Sequence, residues 1–175
     1  MSPSFDVVPV TEHDEWVVRD TTALLQECVR AGAGLGWVDP PSLAQIDAMV
    51  RRCVQGRGSG DASMVAAYVD SAQVAAGWWL RHERETQRGH GDLDKLAVRP
   101  GFQGRGIGAA MLTVLIEDAR RAGVELLTLD VRGDTSHARR LYAAHGFEVY
   151  GVLRDSVVFP YGRFDKVMMV KDLRP

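Results

Sequence analysis

Residues 99–108 read RPGFQGRGIG, four glycines and two arginines in ten positions, and an apolar helical pattern begins directly behind them. Glycine loses more backbone freedom on ordering than any other residue, so a stretch this rich in it calls for a use. A glycine-rich turn between a strand and a helix N-terminus makes an anion site. The first helical N–H groups have no intrahelical partner, and the helix dipole favours negative charge there. Gln103 and Arg105 add donors at the rim. The plain alternative is a surface turn whose glycines only end a strand. Four glycines, two arginines and a strong helix behind them favour an anion, and a phosphate is the first candidate.

Three phosphate patterns compete. The P-loop needs Gly-Lys-Ser/Thr, and no lysine occurs between Lys95 and Lys166. Gly104, Gly106 and Ala109 satisfy the dinucleotide fingerprint G-x-G-x-x-G/A, with Asp130 near the end of the following strand. That fingerprint follows its strand directly, whereas RPGFQ intervenes after Val98. Only about seventy residues follow Gly104, too few for the further βαβ units of a dinucleotide fold. The third pattern, Q/R-x-x-G-x-G/A, is met at every required position by the run Gln103-Gly104-Arg105-Gly106-Ile107-Gly108.

The elements that must position these residues follow from periodicity. FDVVPV reads as a strand, and DEWVVRDTTALLQECVRAG as a helix with Val17, Leu24, Leu25, Cys28 and Val29 on one face. AGAGLGWVDPPS is a loop, Ser42 caps a second helix through LAQIDAMVRRCV, and QGRGSGDAS is a loop again. MVAAYVD and QVAAGWWLRHERE form a hairpin; TQRGHG is a loop and DLDKLAV the next strand. Behind the glycines, Ile107, Ala110, Met111, Val114, Leu115 and Ala119 form a helical stripe, and Gly123 stops it. VELLTLDV is a buried strand, SHARRLYAAH a short helix closed by Gly146, and FEVYGVLRD and FDKVMMVKDL two final strands. The order β-α-α-β-β-β-α-β-α-β-β describes one mixed α/β domain over residues 1–175.

Composition bounds the partners. The 175 residues are 46% apolar and 25% charged, with a net charge of -2, which points to neither nucleic acid nor an anionic membrane. MSPSFDVVPV lacks the basic start and apolar run of a signal peptide, and no apolar stretch approaches the ~20 residues of a membrane helix. Cys28 and Cys53 stand alone, so a reduced, cytoplasmic protein is expected. The five histidines show no ligand spacing with each other or with the cysteines, and no metal is expected.

LDKLAVRPGFQGRGIGAAML is similar to motif A of the GNAT superfamily of acetyltransferases, and ARRLYAAHGFEVYG resembles its motif B. The element order is also that of the family. The resemblance implies a central, mostly antiparallel sheet, splayed at an acetyl-CoA site and flanked by helices. It implies that Gln103, Gly104, Arg105, Gly106, Ile107 and Gly108 hold the pyrophosphate of acetyl-CoA, and that the backbone of Leu96, Ala97 and Val98 pairs with the pantetheine arm. Pro100, without an N–H, suits a strand that stops pairing there.

The implied reaction is transfer of acetyl to a primary amine of a small molecule by direct attack on the thioester. Asp92 falls where several members carry a glutamate base, with Asp94 on the same face two residues on; the base is Asp92, Asp94 or a water between. Tyr142 of LY occupies the general-acid position, and backbone N–H groups near Val98 would form the oxyanion hole. Thr135 stands where many members have an asparagine contacting the pantetheine arm. Trp37, Trp78 and Trp79 are candidates to line the acceptor site, Asp94 is a further substrate candidate, and FPYGRFDKVMM is a second wall through Tyr161 and Arg163. The loop around Trp37 resembles that of members related to tabtoxin-resistance acetyltransferases, which act on an amino group of a small antimicrobial. A homodimer is the candidate assembly. The competing function is a non-catalytic sensor of an acyl-CoA or dinucleotide.

Overall fold

The computed structural model describes residues 4–175. Its elements are β1 (Asp6–Pro9), α1 (Glu15–Arg30), α2 (Leu43–Ser59), β2 (Ala62–Val69), β3 (Ala72–Arg81), β4 (His90–Val98), α3 (Ile107–Arg121), β5 (Leu126–Arg132), α4 (Ser136–Ala144), β6 (Glu148–Phe159) and β7 (Gly162–Asp172). This is the expected order. The seven strands form one sheet, β1-β2-β3-β4-β5-β7-β6, in which only β4 and β5 run parallel. A parallel pair requires a crossover, and α3 supplies it. No helix among the described residues is long and apolar enough to cross a membrane.

Two cores cover the two faces of the sheet. α3 packs on one, where Met111, Leu112, Leu115 and Ala119 meet Val65, Ala75, Trp79, Leu93 and Leu127. α1 and α2 pack on the other, where Leu24, Leu25, Ile46 and Val50 meet Met64, Ala66, Ala76 and Trp78. Successive strand residues point to opposite faces, so Trp78 and Trp79 enter different cores. Each is 1% exposed. Neither tryptophan is available as an acceptor wall; the apolar bulk of both is spent on packing. The buried stripe of α3 is also turned from the expected one: Leu112 and Ile116 are buried, while Ala110 and Val114 are half-buried.

Local chemistry sets the helix ends. Ser42 caps α2 through a full capping box, its hydroxyl accepting from Gln45 N–H while the Gln45 side chain accepts from Ser42 N–H. α2 then runs to Ser59, through the QGRGS expected as a loop, and ends on Gly60 in the left-handed region. Packing outweighs poor glycine propensity here. A Cβ on Gly56 would lie 2.8 Å from the Ala62 Cβ, so glycine lets the helix end close against β2.

β4 carries a bulge. Trp78 pairs with Lys95 and Trp79 with Leu93, which leaves Asp94 as the extra residue. The bulge puts two consecutive side chains on the α1–α2 face. Asp94 accepts a hydrogen bond from Trp78 Nε1 at 2.8 Å, and Lys95 Nζ lies 5.2 Å from the centre of the Trp37 ring.

Gly77 faces Leu96 in this register, and an added Cβ would meet Leu115 Cδ1 and the Lys95 carbonyl at 3.0 Å. Gly77→Ala overpacks β3 against β4 and α3 and is expected to cost about 1–3 kcal/mol, read as a lower urea midpoint at unchanged m-value.

Candidate functional site

β4 and β5 pair only at their beginnings, His90 with Leu126, Gly91 with Leu127 and Asp92 with Thr128. Beyond that they part. Leu96, Ala97 and Val98 pair with β3 alone, and Leu129 to Arg132 with β7 alone. Two unpaired strand edges therefore face each other across an opening in the sheet. A cavity of about 690 Å³ passes through it. Gly104, Gly106, Gly108, Leu141 and Tyr142 line it from the α3–α4 side; Cys28, Gly32 and Gly36 line it from the α1–α2 side.

At one end of the cavity, α3 begins without a side-chain cap or an acidic residue in its first turn. Gly104 and Gly106 have φ of 75° and 81°, the left-handed region that glycine occupies without strain. The first helical bond is from Ala110 N–H to Gly106, so the N–H groups of Ile107, Gly108 and Ala109 have no partner within the helix. Gln103 lines the cavity but donates to the Val98 carbonyl at 3.1 Å. Arg105 does not line it; its guanidinium donates to the Gly101 carbonyl at 2.8 Å and stacks on Phe102.

Tyr142 lies on α4, edge-on to Phe147 with ring centres 5.9 Å apart. Burial, and then the nearby Asp130 charge, push its phenol up to about 12, so the group is protonated throughout the neutral range. Asp130 is on the open half of β5 and lines the cavity, with Oδ1 3.1 Å from Lys166 Nζ. Asp94 lines it too, but Trp78 Nε1 and Lys95 Nζ, both at 2.8 Å, occupy its carboxylate.

Asp92 does not line the cavity. It sits in the last paired position of β4, where His82 Nε2 lies 2.8 Å from Oδ2 and the Thr128 hydroxyl donates to Oδ1. The base expected at Asp92 thus lies at the closed end of the split, beside the opening and not in its lining. Beside it, burial and then the neighbouring His82 hold His90 below the usual histidine range.

Thr135 lines the cavity at the start of α4, and its hydroxyl donates to Asp134 at 3.4 Å rather than capping the helix. Trp37 packs against the α1–α2 core beside the cavity-lining Gly36. Tyr161 is 67% exposed and reaches the site only through Arg132, whose Nη1 is 3.5 Å from its hydroxyl. Arg163 donates to the Asp155 carbonyl, away from the main cavity.

Sequence reading missed Asp130 as a cavity carboxylate and Arg132 as the tie between walls. Arg132 donates to the Gly32 carbonyl at 3.2 Å and pairs with Asp134 at 2.6 Å. The available signal for Asp130 was its place two residues after Thr128, on the polar side of an otherwise apolar strand.

Cys28 is the cavity's thiol. Its Sγ donates to the Val98 carbonyl at 3.6 Å, and burial pushes it up to about 11. Cys53 lies fully buried in the α1–α2 core, pushed up to about 12.

A sheet split between two parallel strands, with a bare helix N-terminus at the end of the split, defines the acetyltransferase class of fold. Residues 37–147 match the acetyltransferase (GNAT) family, and the chain belongs to it. The chain is 35% identical over 77 residues to the ribosomal protein bS18-alanine N-acetyltransferase of Escherichia coli, 44% of this chain and 52% of that one. It is 36% identical over 78 residues to the mycothiol acetyltransferase of Beutenbergia cavernae, 45% of this chain and 25% of that protein. The matched stretches thus span about half, or a quarter, of these relatives. A GNAT superfamily phosphinothricin acetyltransferase from Sinorhizobium meliloti, solved with acetyl-CoA, superposes with a TM-score of 0.80 at 23% identity, covering 98% of this chain and 89% of that one.

Asp130→Asn removes the charge that adds to burial at Tyr142. The phenol pKa is expected to fall in this variant yet stay above the ordinary tyrosine value, because burial is the larger cause and persists. NMR titration of ring-labelled tyrosine reads it.

Proposed function

We propose that this chain is an acetyl-CoA-dependent N-acetyltransferase that moves an acetyl group to a primary amine of a small molecule by direct attack on the thioester. The observation that carries this reading is the β4–β5 opening, which joins an unpartnered helix N-terminus at one end to Tyr142 and Asp130 beside it. Acetyl-CoA supplies the acetyl group as a thioester. The N–H groups of Ile107, Gly108 and Ala109 suit its pyrophosphate, as anions are held at helix N-termini. The free edge of Leu96–Val98 offers backbone donors and acceptors to an extended amide-bearing arm. The same edge provides N–H groups for the developing oxyanion.

Amine chemistry assigns the side chains. An amine arrives largely as ammonium and must lose a proton before attack, and Asp130 is a cavity carboxylate near Tyr142 with one oxygen left free of Lys166. Asp130 accepts that proton, directly or through a water. The amine nitrogen then bonds to the carbonyl carbon, and the carbon–sulfur bond breaks as Tyr142 donates its proton to the departing thiolate. The nitrogen gives its second proton to the Tyr142 phenolate, directly or through a water, which restores the phenol and leaves a neutral amide; Asp130 returns its proton to solvent. Asp94, held by Lys95 and Trp78, suits holding a cationic acceptor on the α1–α2 side. Both cysteines are held as thiols by burial, which disfavours an acetyl-cysteine intermediate and supports direct transfer.

The deciding experiment measures free coenzyme A thiol released from acetyl-CoA across a panel of amines that includes antibiotics, polyamines and peptides. Release with a small amine is expected, together with a raised melting temperature on adding acetyl-CoA and none on adding NAD(H). Stabilisation by NAD(H) alone would overturn the reading in favour of a dinucleotide site. Binding of acetyl-CoA without release from any amine would make the chain a sensor.

Tyr142→Phe keeps the ring packing and removes the proton donor. The expected result is a fall in kcat of about 10²-fold or more with little change in acetyl-CoA affinity. Wild-type kcat should show no alkaline fall up to about pH 10, because the buried phenol keeps its proton there.

A further inference from the structure

Three ligand-type side chains meet outside the proposed chemistry, at the closed end of the β4–β5 split. The β3–β4 hairpin pairs Arg81 with Gly91 and Leu80 with Asp92, and His82 N–H bonds the His90 carbonyl at 2.9 Å. This register sets His82 directly across from His90. Asp92 follows two residues on, on the same face, and Thr128 lies beside it on β5. The two imidazoles stack at 3.9 Å with an 11° angle between planes. His82 Nε2 is 2.8 Å from Asp92 Oδ2, and His90 Nε2 is 3.7 Å from Asp92 Oδ1. One donor atom from each of the three lies within 4.8 Å of the others.

We propose that His82, His90 and Asp92 form a divalent-cation site of the zinc type, with Thr128 positioning the carboxylate. Tetrahedral zinc with bonds of about 2.0–2.2 Å spaces its ligand atoms about 3.3 Å apart, so to converge on one ion the two stacked rings must tilt, and His90 Nε2 must turn from the Thr128 hydroxyl that it meets at 2.7 Å, while His82 Nε2 already lies 2.8 Å from Asp92 Oδ2. Two imidazoles and one carboxylate are a borderline-hard set that prefers zinc to calcium or magnesium. The ligands are part-exposed, with side chains 30%, 29% and 49% accessible for His82, His90 and Asp92, so a cation can enter and its fourth position falls to water. The Thr128 hydroxyl already donates to Asp92 Oδ1, the outer-shell hydrogen bond that orients a ligating carboxylate. Three adjacent strands contribute, so a bound cation pins the point where the sheet begins to open. The expectation of no metal rested on separation along the chain, and the hairpin register removes that separation.

The test uses the tag-free chain, stripped with chelator and titrated with Zn(II) by calorimetry and with Co(II) by visible absorption. One saturable site per chain is expected, with Co(II) bands of four-coordinate intensity and a melting temperature raised by Zn(II). His82→Gln, His90→Gln and Asp92→Asn should each weaken binding about tenfold or more, and Thr128→Val about tenfold. Circular dichroism and melting in chelator establish that each variant folds, and any that does not is replaced by the alanine variant at that position. The absence of a saturable site, or binding retained in both histidine variants, would overturn the proposal.

Discussion

After Asp92 pairs with Thr128, β4 and β5 cease to exchange hydrogen bonds, and the rest of the molecule is arranged around that interruption. Unpaired backbone N–H and C=O groups inside a protein are costly unless something satisfies them. Most of a sheet avoids the cost by closing its ladders. Here the two central strands are held apart, with two edges facing a cavity of about 690 Å³. On the proposed reading, an extended chain that carries amides satisfies those edges.

Holding the strands apart takes rigid parts on both faces. α3 is anchored by six buried side chains from Ile107 to Ala119, so its N-terminus is fixed over the end of the split. On the other face, the α1–α2 loop is tied to β5 by the hydrogen bond from Arg132 to the Gly32 carbonyl. The bulge at Asp94 sits between these supports. It bends β4 where the pairing to β5 has just ended, and it turns Asp94 and Lys95 together toward the α1–α2 side. One extra residue thus opens the strand and supplies charge to the opening.

Much of this was legible locally. The glycine turn and the uncapped start of α3 rest on glycines, a helix start and missing intrahelical partners, all properties of neighbours in the chain. The Ser42 cap and the order of all eleven elements are equally local. What escaped depends on pairings between distant segments. Alternation along DLDKLAV places Asp92 and Asp94 on one face, yet which of them reaches the opening depends on where β4 leaves β5. Asp130 gains its place only from that same departure. His82 and His90 are eight positions apart in sequence and adjacent in space, because a hairpin register put them there. The glycines of QGRGS read as a loop until Ala62 packs against Gly56, and that contact is tertiary.

The division of labour among the three acidic residues of the α1–α2 face follows from their partners rather than from their type. Asp92 is held by His82 and Thr128, and Asp94 by Trp78 and Lys95. Both oxygens of each of these carboxylates are thus taken up by neighbours. Asp130 has one cationic neighbour, Lys166, and stands close enough to Tyr142 to raise that phenol. That coupling is chemically useful in one direction. A carboxylate that keeps a nearby phenol protonated preserves the proton needed by a leaving thiolate, and once Asp130 is itself protonated by the amine, its charge no longer opposes loss of that proton. On the proposed mechanism the action of the base thus releases the acid for its step, through a pair of residues on two different elements that only the split sheet brings together.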